Sequence, residues 1–195
     1  MRELEAQGVT EITSRDLGER MRLNPCQIRQ DINFIRGSGK QGAGSKVKEL
    51  KDHLQKIMGL EQERRIIVIG TGRTGLEIAN HPAFAAEGFP VVALFDRDPV
   101  QYDQSAAAVP VYLHRELEEQ LPNLDAHIAV LALPAAEAQE MLARVYNLGI
   151  RAIWNLATAD LQAPRDMAVL NWYLYDSLHI LSYRIQQTAE ENSRR

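Results

Sequence analysis

The stretch that decides the fold is Arg65-Ile66-Ile67-Val68-Ile69-Gly70-Thr71-Gly72-Arg73-Thr74-Gly75, or RIIVIGTGRTG in one-letter code. Its first half is a short run of β-branched residues, which is typical of a buried parallel strand. Its second half fits the pattern G-x-G-x-x-G, and Leu76 to Ala79 then opens a helix. A strand, a glycine loop and a helix in this order predict a dinucleotide-binding unit.

An acidic residue at a suitable distance supports this prediction. Asp96 ends the next apolar run, Pro90 to Phe95, and stands 21 residues after Gly75. A carboxylate there accepts hydrogen bonds from the ribose of NAD and repels the 2′-phosphate of NADP, so NAD(H) is favoured. Arg97 beside it is a residue type that tolerates a 2′-phosphate. The alternatives are a loop that only makes the turn, or one that holds another adenine nucleotide such as coenzyme A.

The rest of this part alternates between strands and helices. Further strands are predicted at Val109 to Tyr112, His127 to Leu133, Ile150 to Leu156 and Ala168 to Trp172. Helices are predicted at Arg115 to Gln120, Ala135 to Leu148 and Tyr175 to Glu191. The last helix carries an apolar stripe formed by Leu174, Leu178, Leu181 and Ile185. This alternation predicts an α/β fold with a doubly wound parallel sheet.

The part of the chain before this unit has a different pattern of apolar residues. The change of pattern at Gly59 to Arg65 predicts a domain boundary. Thr13-Ser14 can cap a helix from about Arg15 to Met21. Asn24-Pro25 then starts a second helix that runs to about Ile35, since Asn is a strong cap and Pro suits the first helical position. Two helices joined by so short a turn are typical of a helix-turn-helix.

The second of these helices has two distinct faces. Ile28, Ile32 and Ile35 fall on one face at 100° per residue and are expected to pack inward. The residues on the opposite face are Cys26, Arg29, Gln30 and Asn33. Arg, Gln and Asn side chains have the geometry that reads guanine and adenine edges in the major groove, so this face is a candidate DNA contact. A polar outer face is also what any surface helix shows.

A second glycine-rich stretch, Gly37 to Ser45, contains the same G-x-G-x-x-G pattern. It has neither the strand before it nor the acid after it, and the amphipathic segment Val47 to Met58 follows, so no dinucleotide site is predicted there. Its glycines and its lysine are typical of a flexible basic tip, which in a winged helix lies against DNA. We therefore expect Lys40, Gly42 and Gly44 to form a DNA-contacting wing; a plain flexible connector is the alternative.

The distribution of charge agrees with a nucleic-acid-binding part at the N-terminus. Residues 1–60 hold 11 Lys and Arg against 8 Asp and Glu, whereas residues 61–195 hold 11 against 18. A basic segment on an acidic remainder suggests a polyanion-binding module, although a solvated charged face gives the same count.

Composition excludes several other classes of protein. The single cysteine rules out an internal disulfide framework, and no apolar run approaches the ~18 residues of a membrane span, so a cytoplasmic protein without a membrane partner is predicted. The five histidines lack the spacing of a metal site, and no triad of catalytic residues is evident. We therefore predict neither a metal nor an enzyme.

Several motifs, in the same order along nearly the whole chain, resemble the Rex family of redox-sensing transcriptional repressors. They are Asn24 to Ile32, Gly37 to Gly44, Gly70 to Gly75, Phe95 to Pro99, Leu131 to Ala135, Ile153 to Ala157 and Leu181 to Tyr183. The resemblance implies a homodimer with an N-terminal winged-helix domain, a Rossmann domain for NAD(H) and a C-terminal helix exchanged between subunits. It also implies that NADH releases double-stranded operator DNA, whereas NAD⁺ permits DNA binding.

On this basis three segments are expected: a winged-helix DNA-binding domain at 1–60, an NAD(H)-binding domain at 61–173 and a dimerisation helix at 174–195. The expected cofactor-binding residues are Gly70, Thr71, Gly72, Arg73, Thr74, Gly75, Asp96, Arg97, Leu133, Pro134, Asn155 and Ala157, the last four by resemblance on the nicotinamide side. The expected DNA-binding residues are Arg29, Gln30, Asn33, Lys40, Gly42 and Gly44.

The chain departs from the family pattern at several positions. Gln30 and Gln41 stand where the recognition helix and the wing usually carry a cation, which removes two contacts that contribute to DNA affinity. Tyr173 stands in place of an aspartate that takes part in the family's redox switch, and the first helix is expected to be truncated. One alternative is therefore a diverged relative with altered or lost cofactor response. A small NAD- or CoA-binding Rossmann enzyme is another.

Overall fold

A computed structural model describes residues 1–36, 44–98, 107–173 and 175–193. The chain divides into two compact units, with unit 1 at Met1–Glu63 and unit 2 at Arg64–Arg195. Unit 1 has its own apolar core, and the apolar residues of unit 2 form two clusters of their own. In the described ranges, no helix is long and apolar enough to cross a membrane.

Unit 1 is a helical bundle with a small two-stranded sheet. Its helices are α1 (Arg2–Ala6), α2 (Ser14–Met21), α3 (Pro25–Arg36) and α4 (Val47–Ile57). Its strands are β1 (Glu11–Ile12) and β2 (Ser45–Lys46), which pair antiparallel. The buried residues of its core are Leu4, Ile12, Leu17, Ile28, Ile32, Val47 and Leu50. Each of the four helices therefore contributes to one core.

Helices α2 and α3 begin with the caps that the sequence predicts. The Thr13 hydroxyl accepts a hydrogen bond from the Asp16 amide at 3.1 Å, and Asn24 Oδ1 accepts one from the Cys26 amide at 2.8 Å. Each cap satisfies a backbone donor that the first helical turn leaves unpaired. Arg22 ends α2 in the left-handed conformation, with φ 54°, and reverses the chain into α3. The two helices are thus joined by a turn of residues 22–24.

A six-stranded parallel sheet forms the centre of unit 2. Its strands are β3 (Ile66–Ile69), β4 (Val91–Asp96), β5 (Val111–Leu113), β6 (Ile128–Leu131), β7 (Ala152–Asn155) and β8 (Ala168–Asn171). They lie in the order β5-β4-β3-β6-β7-β8, and all neighbours are parallel. This is the Rossmann strand order, which reverses between β3 and β6. The predicted doubly wound α/β fold is confirmed.

Helices cover both faces of this sheet. They are α5 (Arg73–Asn80), α6 (Pro82–Ala86), α7 (Leu117–Gln120) and α8 (Ala135–Asn147), and 3₁₀ turns at His114–Glu116 and Leu121–Asn123 flank α7. One face packs against α7 and α8 and the other against α5 and α6. The central strand β3 is buried along its whole length, because both of its faces are covered.

The last helix, α9 (Asp176–Ser193), is exposed along the part whose side chains are described. Leu178, Leu181 and Ile185 are 62%, 53% and 64% exposed, and Ile180 and Tyr183 on the opposite face are exposed as well. Leu174, the first residue of the predicted stripe, lies outside the described residues. A helix that is apolar on two faces is normally buried, so α9 needs cover from another surface.

The structure differs from the sequence-based expectation mainly at short elements. Helix α6 and strands β1 and β2 were not expected, because periodicity is not visible over two to five residues. Helix α5 begins at Arg73, since the end of the glycine loop forms its first turn. His81 ends α5, and its ring nitrogen accepts a hydrogen bond from the Ala83 amide and caps α6.

Candidate nucleotide cleft and nucleic-acid surface

A cleft of about 420 Å³ lies at the carboxyl edge of the sheet, beside the reversal of strand order between β3 and β6. Its lining residues are Gly70, Gly72, Asp96, Arg97, Asp98, His114, Ala132, Leu133, Pro134 and Glu137. We call it the Gly70 cleft. Open α/β sheets bind their ligands in this crevice, because the loops after neighbouring strands separate there. The predicted residues Gly70, Gly72, Asp96, Arg97, Leu133 and Pro134 therefore meet around one space.

The three glycines of the loop have different environments. Gly70 has φ +110°, and a Cβ added to it would overlap the carbonyl oxygen of Ala132. A Cβ on Gly75 would overlap the carbonyl oxygen of Gly70, so helix α5 can approach the loop only if residue 75 is glycine. A Cβ on Gly72 would meet no atom within 4 Å. Gly70 and Gly75 are thus required by the fold, whereas Gly72 leaves space for a ligand.

Helix α5 starts directly after the glycine loop that lines this space. Gly72 is the N-cap residue of the helix, and as a glycine it offers no side-chain acceptor to the first helical amides. The first amides of a helix and its positive dipole end attract anions such as a pyrophosphate. Arg73 and Thr74 in this first turn are exposed, while Gly75 is buried.

Asp96 is held in a fixed position at the end of β4. Its Oδ2 accepts hydrogen bonds from the Thr71 amide at 2.6 Å and the Thr71 hydroxyl at 2.7 Å, and its Oδ1 accepts one from the Asp98 amide at 3.0 Å. Burial opposes ionisation of this carboxyl, but these hydrogen bonds outweigh it and hold the pKa of Asp96 below its ordinary value. The cleft therefore contains an ionised acceptor. Thr71 is only 1% exposed, so its side chain is held in place by its surroundings. Its two hydrogen bonds therefore orient Asp96.

Arg97 and Glu137 form an ion pair at the same cleft. Arg97 Nη2 lies 3.0 Å from Glu137 Oε2, and the Arg97 side chain is 71% exposed. Arg97 follows β4, whereas Glu137 belongs to the first turn of α8. Glu137 was not selected from the sequence, because nothing along the chain relates it to Arg97.

His114 was also missed by the sequence analysis. It follows β5 directly and lines both the Gly70 cleft and an adjoining cavity of about 410 Å³. Burial lowers the pKa of His114, against the opposing influence of Asp96 and Glu137. Its Nε2 is buried and has no hydrogen-bond partner among the described residues. The sequence signal that could have identified His114 is its position at the carboxyl end of a strand.

The two residues predicted from the Ile153 to Ala157 motif lie deeper in the fold. Asn155 is fully buried, and its amide donates to the Ala159 carbonyl at 2.9 Å and to Asn171 Oδ1 at 2.8 Å. Its own Oδ1 accepts the Ala157 amide at 3.0 Å. Asn155 therefore fixes the loop after β7 to the end of β8. Neither Asn155 nor Ala157 is among the residues described as lining the Gly70 cleft.

Helix α3 presents the predicted polar face in unit 1. Arg29, Gln30 and Asn33 are exposed, whereas Ile28 and Ile32 are buried in the core. The helix is therefore oriented as the periodicity predicts, with its base-reading residue types toward solvent. Phe34 is 88% exposed, which periodicity did not lead us to expect.

The predicted wing is only partly within the described residues. Lys40, Gly42 and the departure at Gln41 lie outside them. Gly44 is described; it directly precedes β2, and an added Cβ would lie 3.8 Å from the carbonyl oxygen of Ile12. The glycine-rich stretch thus ends at the small sheet of unit 1.

Family models match both units of the chain. The model described as "CoA binding domain" matches residues 61–159. The model described as "Putative DNA-binding protein N-terminus" matches residues 1–33. The first match contains the Gly70 cleft, and the second contains α2 and most of α3.

Similar proteins of known name cover almost the whole chain. The redox-sensing transcriptional repressor Rex of Caldanaerobacter subterraneus subsp. tengcongensis is 38% identical over 96% of this chain and 84% of its own length. The redox-sensing transcriptional repressor Rex of Clostridioides difficile is 36% identical over 92% of this chain and 85% of its own length.

Solved structures show the same architecture. RSP, a Rex-family repressor, is 35% identical over 98% of this chain and 90% of its own, with a TM-score of 0.85. RSP in complex with NADH matches with a TM-score of 0.86, 34% identity and coverage of 100% and 91%. RSP in complex with NAD⁺ and operator DNA matches with a TM-score of 0.85, 36% identity and coverage of 98% and 88%. The likeness extends over both units.

Proposed function

The chain belongs to the Rex family of redox-sensing transcriptional repressors, and we propose that it binds operator DNA through unit 1 and NAD(H) in the Gly70 cleft. NADH releases the DNA, and NAD⁺ permits DNA binding. The functional segments are a DNA-binding domain at 1–60, a cofactor domain at 61–173 and a dimerisation helix at 174–195. A repressor of this kind acts in the cytoplasm. The names of its relatives point to regulation rather than to catalysis.

The observation that carries the cofactor proposal is the combination of an open glycine and a fixed carboxylate. Gly72 leaves space over the amides of α5, which would hold the pyrophosphate. Asp96, oriented by Thr71, would accept the hydroxyl groups of the adenosine ribose. Leu133 and Pro134 offer an apolar wall, and Asn155 and Ala157 shape the neighbouring loop on the proposed nicotinamide side.

A homodimer is supported by the apolar surface that the chain leaves uncovered. Leu170 on the edge strand β8 is 66% exposed and Trp172 is 48% exposed, directly before the exposed helix α9. The edge strand and the helix together offer an apolar surface against which a second copy of the chain can pack. We propose that α9 is exchanged between subunits, because a helix apolar on two faces requires cover on both.

The cofactor can control DNA binding only if NADH and NAD⁺ favour different arrangements of the dimer. A tenfold difference in their effect corresponds to about 1.4 kcal/mol of differential binding. We expect NADH to release a fluorescent operator duplex at concentrations at least about tenfold below those at which NAD⁺ has any effect. The duplex is one selected by the protein from a random pool, and the measurement is fluorescence anisotropy.

The outcome of this titration separates the candidate functions. Equal effects of NADH and NAD⁺, or no effect of either, would contradict redox sensing and favour a DNA-binding relative that has lost cofactor response. Turnover of a second substrate with NAD would favour an enzyme.

The surface of α3 gives a separate test of DNA binding. Arg29→Gln is expected to weaken operator binding by about 1–3 kcal/mol, roughly 5- to 150-fold, because an arginine that reads a guanine edge has no equivalent replacement. The measurement is the operator dissociation constant at fixed salt, since phosphate contacts make it salt-dependent. Arg165→Gln, the same change at an exposed position of unit 2, is the control. Equal affinities of the two variants would exclude Arg29 from the interface.

A further inference from the structure

The Gly70 cleft contains both residue types that decide between NAD and NADP. Asp96 is of the type that binds the 2′-hydroxyl of NAD, and the next residue, Arg97, is of the type that accepts the 2′-phosphate of NADP. From the sequence Asp96 favours NAD(H), and Arg97 is the residue that speaks against this choice. The structure adds a third residue, Glu137, whose carboxylate lies 3.0 Å from the Arg97 guanidinium across the cleft.

We propose that Glu137 is a specificity-determining residue, which makes the cleft accept NAD(H) and reject NADP(H) by engaging Arg97. The proposal rests on the proposed cofactor function, and it concerns a residue of α8 that lies outside the glycine loop. Glu137 is the more buried partner, with 26% of its side chain exposed against 71% for Arg97. The carboxylate on the helix is therefore the fixed partner, and the long arginine side chain is the one that is oriented.

An exposed ion pair is weak, so the pair by itself would not withstand a competing phosphate. The net charge of the cleft provides the stronger barrier. Three of its charged side chains are acidic, namely Asp96, Asp98 and Glu137, and Arg97 is the cation described as lining it. If Arg97 turned to a 2′-phosphate, Glu137 would be left without its partner beside a dianion and two other carboxylates. Like charges that line one partly enclosed site repel each other.

Removing this one negative charge is expected to relax the choice of cofactor. In Glu137→Gln, Arg97 becomes free to bind a phosphate bidentately, and one of the three carboxylates is lost. We expect the dissociation constant of NADPH to fall at least about tenfold relative to the unaltered protein, a change of about 1.4 kcal/mol. The dissociation constant of NADH is expected to change less than about threefold, because NADH carries an uncharged hydroxyl where NADPH carries the 2′-phosphate.

The full chain is titrated with NADH and with NADPH, and nicotinamide fluorescence reports both dissociation constants. Glu140→Gln is the matched control, because Glu140 lies one turn further along α8 and lines the adjoining cavity without forming an ion pair with Arg97 in the described structure. The double variant Arg97→Gln/Glu137→Gln is expected to lose the gain in NADPH affinity, since the phosphate ligand itself is then absent.

The outcomes distinguish this inference from the proposed function. If the unaltered protein binds NADH and Glu137→Gln leaves the ratio of the two dissociation constants unchanged, the inference is wrong and the proposed function stands. An equal loss of affinity for both cofactors would show a merely structural role and overturn it as well. The same gain in Glu140→Gln would also contradict it. Failure of the unaltered protein to bind NADH would reject the proposed function, and the inference with it.

Discussion

Gly70→Ala is expected to destabilise unit 2 by about 4 kcal/mol, since it combines a strained backbone angle with a steric overlap. Gly70 has φ +110°, a conformation that L residues rarely adopt, and its added Cβ would overlap the backbone of Ala132. Because the obstacle is backbone at the end of β6 and not a flexible side chain, relief requires β3 and β6 to separate. Urea unfolding followed by circular dichroism measures the change, and NADH binding is expected to be lost with it.

Gly72→Ala is the matched control in the same loop. Its Cβ would meet no atom within 4 Å, and its φ of −59° suits alanine. We expect the free energy of unfolding to stay within about 0.5 kcal/mol of the unaltered protein. NADH affinity is nevertheless expected to fall, because the methyl group occupies the space left for the pyrophosphate. A Gly70→Ala protein as stable as the Gly72→Ala protein would contradict the assignment of these two glycines.

Leu181→Glu is expected to convert the dimer to monomers and, as a result, to weaken operator binding. Leu181 lies in the apolar stripe of α9, and an unpaired charge buried in an interface destabilises it by about 3–5 kcal/mol. Such a change raises the dimer dissociation constant by more than about 100-fold. Operator binding weakens because a dimeric repressor contacts two half-sites together. Analytical ultracentrifugation gives the mass, and anisotropy gives the operator affinity.

Gln187→Glu introduces the same acidic side chain at a position of α9 that is already polar. The Gln187 amide donates to the Tyr183 hydroxyl at 2.8 Å, and a carboxylate there can accept a hydrogen bond from the same hydroxyl. This control is expected to remain dimeric. If Leu181→Glu also stayed dimeric at micromolar concentration, α9 would not be the dimer surface.

The sequence predicted those parts of the site that depend on local pattern. Gly70, Gly72 and Asp96 could be found because a strand, a loop and an acid occur at a fixed spacing along the chain, and all three line the Gly70 cleft. The caps at Thr13 and Asn24 were predictable for the same reason, since each contacts an amide two or three residues away. Alternation of strands and helices was enough to predict the doubly wound sheet.

Contacts between distant segments could not be predicted in this way. Glu137 and Arg97 are forty residues apart, and only the placement of α8 beside the end of β4 brings them together. His114 was judged in sequence as one of five scattered histidines, and its relation to Asp96 and Glu137 appears only in the folded sheet. The double hydrogen bond from Thr71 to Asp96 likewise depends on the pairing of β3 with β4.

Because of the way the Gly70 cleft is assembled, cofactor binding is expected to stabilise the folded protein. Its walls come from residues 70–72, 96–98, 114 and 132–137, segments that are adjacent only in the folded sheet. A ligand that binds only this folded form stabilises it by about 2.7 kcal/mol when its concentration is a hundred times its dissociation constant. The unfolded fraction of unit 2 then falls about a hundredfold. We therefore expect a bound nucleotide to protect the repressor from proteolysis, so that the half-life of the protein increases with the concentration of that nucleotide.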